Sequence, residues 1–320
     1  MSLSNKRTLR IVFMGTPDFA VTILDAILQE GHTVVGVVTV PDKPAGRGRS
    51  IQQSAVKKYA LTKDLTVLQP EKLKDESFIK TLSNLKANVQ VVVAFRMLPK
   101  VVWEMPAYGT FNLHASLLPQ YRGAAPINWA IINGEATTGV TTFFIDDKID
   151  TGSIILKKAI DIIPVDTAGT LHDKLMHLGA TTVVDTLKDI ELDKVQAMPQ
   201  KEEAVLKPAP KLFKDTCEIN WEASMTTIYN FIRGLSPYPV AWTTLYSGTT
   251  TFFLKIYRAQ PLTENHNFPI GTVLCTNKEM KIAVKNGYIV LLEIQLPGKR
   301  RMEIRDVLNG LKLEKSAHVG

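Results

Sequence analysis

Cysteine is the scarcest chemistry in this chain. Only Cys217 and Cys275 occur in 320 residues, far apart. That excludes a disulfide framework and a cysteine metal site, and it fits a reducing cytoplasm. Long apolar runs are missing too. No stretch approaches the roughly 18 residues that a spanning helix needs, so no membrane segment is expected. The first residues, MSLSNKRTLRIVFMG, are basic, but their apolar run is short and no small-residue cleavage site follows, so a signal peptide is not expected. Histidine gives no metal set. Of the six, only His172 and His177 are close, five apart on a helical stretch, and no third ligand accompanies them. The G-x-G-x-x-G fingerprint is absent as well. In GTPDFA (15–20), Pro17 stands where a glycine would admit a pyrophosphate, which disfavours a dinucleotide. Internal repeats and low-complexity tracts are also lacking.

What is present reads as two domains, the usual outcome for a chain of this length. LRIVFMG (9–15), TVVGVVTV (33–40) and VQVVVAF (89–95) are short apolar runs of buried-strand type. Between the first two, Phe19, Ile23, Ala26 and Ile27 share a helical face, with Pro17 and Gly31 as start and stop signals. Strand, helix and strand within about 30 residues make a βαβ unit and a parallel sheet. TFNLHA (110–115), GVTTFFID (139–146) and IILKKAIDI (154–162) extend the sheet, APINWAIING (125–134) is a short helix, and residues 167–190 form a long one. Residues 1–190 are therefore expected to be α/β and doubly wound.

Residues 191–208 mix charge and proline without a clean period and are expected to be a linker. Residues 209–320 change texture. After a helix over 225–235 come AWTTLYS, TTFFLKIYRAQ, GTVLCTN and MKIAVKNGYIVLLEIQ, with Asn286-Gly287 as a hairpin signal. Several short strands in so few residues predict a small β-barrel. Net charge is +7 overall, +3 over residues 1–190 and +5 over the shorter 209–320. A basic smaller domain suits a polyanion such as RNA.

Chemistry concentrates in TFNLHASLLPQYRGAAP (110–126). Ligands of an open parallel sheet bind beyond the carboxyl ends of its strands. Residues two apart share a face, so Asn112 and His114 stand side by side there. The next strand ends in IDDKIDTG, where Asp146, Asp147 or Asp150 could accept from His114 and fix its tautomer. Amide, imidazole and carboxylate make an acyl-transfer set of oxyanion donor, proton carrier and orienter. No protein nucleophile is evident, because Ser116 lies in a Ser-Leu-Leu-Pro turn rather than a nucleophile elbow. The attacking group is therefore expected to belong to the substrate. VPDKPAGRGRS (40–50) places Lys43, Arg47 and Arg49 in a loop on the same sheet edge, able to meet phosphates.

GTPDFA, PDKPAGRGR, NLHASLLPQYRGAAPI and DTG, in this order and spacing, resemble the 10-formyltetrahydrofolate-dependent formyltransferase family. INW, SPYPVAW and PGKRR in the C-terminal part narrow the resemblance to its methionyl-tRNA branch. The resemblance implies a Rossmann-like first domain and a barrel similar to an oligonucleotide-binding fold. It also implies transfer of a formyl group from 10-formyltetrahydrofolate, as co-substrate and without metal, to methionine on initiator Met-tRNA. By position it gives Asn112, His114 and Asp150 as catalytic. It gives Ser116, Leu117, Leu118 and Pro119 as the folate-binding turn. Lys43, Arg47 and Arg49 belong to the loop that meets the tRNA. A cytoplasmic monomer is expected, bound to folate and tRNA and to no membrane. One departure stands out. The family commonly has a glycine and one more residue where this chain reads VVVAFRMLP (91–99), and Arg96 lies in that shortened turn.

Overall fold

The computed structural model describes residues 6–45, 50–201 and 205–320. The chain divides into two units. The first comprises Met1–Gly123, Thr138–Ile160 and His172–Pro208; the second comprises Ala124–Thr137, Asp161–Leu171 and Ala209–Gly320.

Unit 1 is built on a seven-stranded sheet. In chain order its elements are β1 (Arg10–Gly15), α1 (Asp18–Gln29), β2 (Thr33–Val38), β3 (Lys43–Ala45), β4 (Ser50–Gln52) and α2 (Ala55–Thr62). Then come β5 (Val67–Leu68), α3 (Glu76–Asn84), β6 (Val89–Val93), α4 (Lys100–Trp103) and β7 (Thr110–His114). The short helix α5 (Pro126–Ile132), which belongs to unit 2, precedes β8 (Thr137–Phe144), β9 (Ile154–Asp161) and α6 (Ala168–Glu191), whose first turn also belongs to unit 2. The spatial order is β5-β2-β1-β6-β7-β8-β9. Ile11 to Met14 and Val89 to Val93 are buried on both faces, as strands covered by helices require. Each such aliphatic side chain contributes roughly 1.5–3 kcal/mol of burial.

The sheet is parallel through β7 and then changes direction. β8 runs antiparallel to β7, with His114 opposite Thr141 and Phe111 opposite Phe144. A parallel neighbour needs a crossover back to the starting edge. The chain leaving β7 makes the turn at 115–124 and α5, then re-enters from the edge it left. Phe144 N donates to Ser153 O, so β9 doubles back along β8. The carboxyl end of β8 therefore does not lie at the edge where His114 stands, as the sequence pattern had implied. Asp150 reaches the imidazole through the 145–153 loop instead.

In unit 2, α7 (Met225–Leu235) is followed by β10 (Ala241–Ser247), β11 (Thr250–Thr263), β12 (Val273–Cys275), β13 (Met280–Val284) and β14 (Gly287–Gln295). β15 (Met302–Glu303), α8 (Ile304–Leu308) and β16 (His318–Val319) complete it. The strands are antiparallel in the order β12-β13-β14-β11-β10-β16, with β15 beside β14. A bridge between Thr272 and His318 brings the two ends of that order together, giving a nearly closed barrel. The hairpin expected at Asn286-Gly287 forms with Lys285 and Asn286 as its two loop residues, and Asn286 takes φ +64°. Ile228, Ile232 and Leu235 of α7 are buried in the barrel core with Leu254, Ile256, Ile289 and Leu291.

Arg233 shares the buried face of α7 and is only 8% exposed. Its Nη1 donates to Asp166 O at 3.0 Å and its Nε to Asn230 Oδ1 at 2.9 Å. Arg233→Ala removes the charged donor of both bonds from a buried position. It is expected to cost about 2 kcal/mol or more of stability, read as a lower urea midpoint.

Candidate active site

β7 presents Asn112 and His114 on one face. Leu113 points the other way, onto Gly179 of α6, where a Cβ would approach its Cδ2 to 2.7 Å. His114 is 7% exposed, while Asn112 is half-buried. Among the described residues, none hydrogen-bonds to the Asn112 carboxamide, so its donors and acceptor are unspent.

The imidazole of His114 is oriented by backbone. Its Nε2 lies 2.8 Å from Tyr121 O. A carbonyl only accepts, so Nε2 carries the hydrogen and donates it. This leaves Nδ1 as the nitrogen that faces Asp150, 3.8 Å from its Oδ2. That separation is an ion-pair distance and exceeds a hydrogen bond. The tautomer is thus set by the Tyr121 carbonyl, and the Asp150 carboxyl group faces the other nitrogen. The Asp150 carboxylate is in turn held by Gly123 N, which donates to Oδ2 at 2.9 Å. Tyr121 and Asp150 both adopt left-handed backbone, φ +60° and +55°. Aspartate adopts this conformation more readily than most residues, but for tyrosine it must be imposed by the surroundings.

Those surroundings are polar and specific. Tyr121 N donates to Lys207 O at 2.7 Å. Gln200 Nε2 donates to Asp150 O at 2.8 Å and to Gly152 O at 3.0 Å. Its Oε1 accepts from Arg122 Nη2 at 2.6 Å and Nε at 3.2 Å. Met198 and Ile154 exchange backbone hydrogen bonds. Residues 191–208, read from sequence as a linker, therefore include groups that pin both loops of the site. Nothing in their composition signals it, because backbone carbonyls carry no side-chain code.

The turn Ser116-Leu117-Leu118-Pro119 is tied down internally. Ser116 Oγ donates to Gln120 O at 2.7 Å, Thr141 Oγ1 donates to Ser116 O at 2.7 Å, and Leu118 N donates to Thr141 Oγ1 at 3.2 Å. Leu118 is packed with Phe143 and Ile154, and Lys157 Nζ donates to its carbonyl. Ser116, Leu118 and Pro119 are buried, and Leu117 is the half-exposed member, lying over Gly139. The other carboxylates of the loop have local work: Asp146 accepts from Lys148 N and Thr151 Oγ1, while Asp147 is exposed.

Two more loops border this edge of the sheet. At the end of β6, Ala94 takes φ +46°, and Arg96 donates to Glu71 O at 2.8 Å and to Pro70 O. Burial pushes the Arg96 guanidinium below its usual range. After β1, Gly15 is a packing glycine: a Cβ there would approach Ala20 Cβ to 2.6 Å and Val93 O to 3.1 Å. Lys43 is exposed on β3, which pairs with β4; Arg47 and Arg49 lie outside the described residues. The foot of that hairpin is fixed by Asp42, which accepts from Lys57 Nζ at 2.5 Å and Gln69 Nε2 at 2.8 Å. Lys57, more than Gln69, holds the Asp42 carboxyl below the usual carboxylate range. The tie is therefore complete above about pH 4 and is lost as pH falls through the lowered value. Among the described residues no group of three His, Cys, Asp or Glu could hold a metal, and no helix is long and apolar enough to cross a membrane.

Residues 9–187 match the family described as formyl transferase, and residues 211–312 match its C-terminal domain. Over 311 residues the chain is 60% identical to the methionyl-tRNA formyltransferase of Flavobacterium johnsoniae, covering 97% of this chain and 99% of the relative. The chain belongs to the methionyl-tRNA formyltransferase family. The enzyme of that name from Parabacteroides distasonis is 56% identical over 315 residues, covering 96% of this chain and 97% of that one. Solved structures share the fold at greater distance. An N-formyltransferase from Helicobacter canadensis, in complex with folinic acid and dTDP-3-aminofucose, aligns with TM-score 0.63 and 22% identity, covering 88% of this chain and 98% of that one. HypX from Aquifex aeolicus, in complex with tetrahydrofolic acid, aligns with TM-score 0.65 and 16% identity, covering 96% of this chain and 49% of that one. The α/β sheet and barrel expected from sequence are thus the architecture of this family.

One glycine tests the geometry of the Asp150 turn. A Cβ at Gly152 would stand 1.7 Å from Phe144 O, so the turn must move to admit it. Gly152→Ala is expected to displace the Asp150 carboxylate from His114 and, if that pair serves turnover, to lower it about tenfold. A formylation assay alongside a melting curve checks it.

Proposed function

We propose that Asn112, His114 and Asp150 carry out the family's reaction at the carboxyl end of β7. In that reaction the formyl group of 10-formyltetrahydrofolate moves to the α-amino group of methionine on initiator Met-tRNA. The observation that carries the assignment is the unspent Asn112 carboxamide beside an imidazole whose Nδ1 faces a fixed carboxylate. The amine nitrogen attacks the formyl carbon, and a tetrahedral intermediate forms. Asn112 donates to its oxyanion; one such donor is typically worth about 3 kcal/mol. The N10–carbon bond then breaks as the proton lost by the amine arrives at N10. Because Nε2–H is committed to Tyr121, this proton is handled at Nδ1 of His114, directly or through water. Asp150 stabilises the charge His114 acquires in transit. No protein nucleophile is required, because the amine supplies the electron pair.

Ser116, Leu117, Leu118 and Pro119 form the folate-binding turn in this reading, with contacts from backbone and the half-exposed Leu117. Lys43, Arg47 and Arg49 contact the acceptor end of the tRNA. The barrel contributes further phosphate contacts from the run GKRRMEIR (298–305). Arg301 is not free for this, since it pairs with Glu293 at 2.5 Å and lies over the Tyr257 ring. Lys299, Arg300 and Arg305, all exposed, are the available cations. The enzyme works as a cytoplasmic monomer. The 53–60% identity to methionyl-tRNA formyltransferases favours tRNA over a small amine acceptor such as an amino sugar.

With purified Met-tRNA and 10-formyltetrahydrofolate, Asn112→Ala is expected to lower kcat by about 10²–10³. His114→Ala and Asp150→Ala should also fall well below wild type. Near wild-type turnover in all three sinks the assignment, and turnover of an amino sugar but not Met-tRNA sinks the choice of acceptor. Only the neutral amine attacks, so the rate should decline toward low pH. Replacing Lys43, Arg47 and Arg49 by alanine should raise the KM for tRNA much more than that for folate, with a reduced salt dependence of tRNA binding. Unchanged KM values would make the loop a solvated surface.

A further inference from the structure

Gln200 spends its side chain on two loops at once. Its two amide hydrogens go to the carbonyls of Asp150 and Gly152, and its oxygen receives the Arg122 guanidinium. Arg122 lies between the two backbone groups on which the site depends. Before it, the Tyr121 carbonyl holds His114; after it, the Gly123 N–H holds the Asp150 carboxylate. Gln200 thus joins the segment that orients the imidazole to the turn that presents the carboxylate. That turn gains from an external hold, because left-handed backbone costs aspartate more than glycine, though less than most residues.

We propose that Gln200 is a positioning residue for formyl transfer, acting through the Asp150–Gly152 turn to set where the carboxylate stands relative to His114 Nδ1. The inference rests on the assignment of Asp150 given above. Its competitor is a simple tether, in which Gln200 only fastens residues 198–207 to Arg122. Other contacts already fasten that stretch: the Met198–Ile154 bridge, Tyr121 N to Lys207 O, and Gln120 with Val205 and Lys207.

The two roles separate in Gln200→Glu. Glutamate is nearly isosteric and strengthens the bond to Arg122, so a tether would survive. It has no amide hydrogens, and its carboxylate would oppose the carbonyls of Asp150 and Gly152. The expected result is a kcat lowered by about ten- to a hundredfold, with KM for folate and for Met-tRNA within about twofold of wild type and a similar melting temperature. Gln200→Ala should match it in kcat. Wild-type kcat in Gln200→Glu, or a loss confined to KM, overturns the inference. Should that variant fail to fold, Arg122→Met takes its place: it keeps the amide donors but removes the group that orients them. It should lower kcat in the same direction by a smaller factor, and wild-type kcat there overturns the inference equally. Asp150→Ala, run in parallel, distinguishes the levels. Full activity in it removes the underlying assignment, whereas an inactive Asp150→Ala with a fully active Gln200→Glu removes only the role of Gln200.

Discussion

The hydrogen bond from His114 Nε2 to the Tyr121 carbonyl is the contact on which the site turns. A bond of this kind contributes only about 1 kcal/mol to stability, yet it decides which nitrogen is open to chemistry. Had the ring bonded through Nδ1, the nitrogen facing Asp150 would already be spent. The carbonyl can take this role because Tyr121 is held in left-handed backbone, and its N–H is fixed in turn by Lys207 O. Two residues on, the Gly123 N–H secures the carboxylate. One short segment of main chain thus sets both partners of the pair. Both side chains are oriented by peptide groups, which neither titrate nor change rotamer.

Much of this was legible from residue order. Strand alternation put Asn112 and His114 on one face, and β7 ends where a parallel sheet binds ligands. The strands of the barrel were legible because AWTTLYS and MKIAVKNGYIVLLEIQ alternate and carry turn residues between them. The direction of β8 was not. Apolar runs read the same whichever way they are laid down, and only the path of the chain between 115 and 136 makes β8 antiparallel. The partnership of His114 with Asp150 was legible as a pair of residues but not as a geometry: the direct hydrogen bond goes to a carbonyl, which every residue has. Gln200 was invisible for a related reason. It sits in a stretch without periodicity, and its partners are two backbone oxygens and an arginine remote in sequence.

The glycines of the site, and the cations of the chain, divide by what surrounds them. Gly15 and Gly152 are tight-packing positions, one under α1 and β6 and the other against the Phe144 carbonyl. Neither forms an open phosphate cradle, in keeping with a fold that resembles a dinucleotide domain but lacks its fingerprint. Charge is sorted similarly. Arg96, Arg233 and Arg301 are spent on carbonyls, an amide and a carboxylate within the protein. A basic composition therefore overstates the charge available to a polyanion, and the useful cations are those left exposed.

The stitching of Met198, Gln200 and Lys207 to the loops at 120–123 and 150–154 has a consequence for how the protein can be divided. A fragment cut after α6, where the helical pattern stops, would keep Asn112, His114 and Asp150. It would lose the strand partner of Ile154, the acceptor for Tyr121 N and the amide bridging Arg122 to the Asp150 turn. The compact unit that holds these loops thus runs past α6 to Pro208, so its boundary is set by hydrogen bonds rather than by the end of a helix.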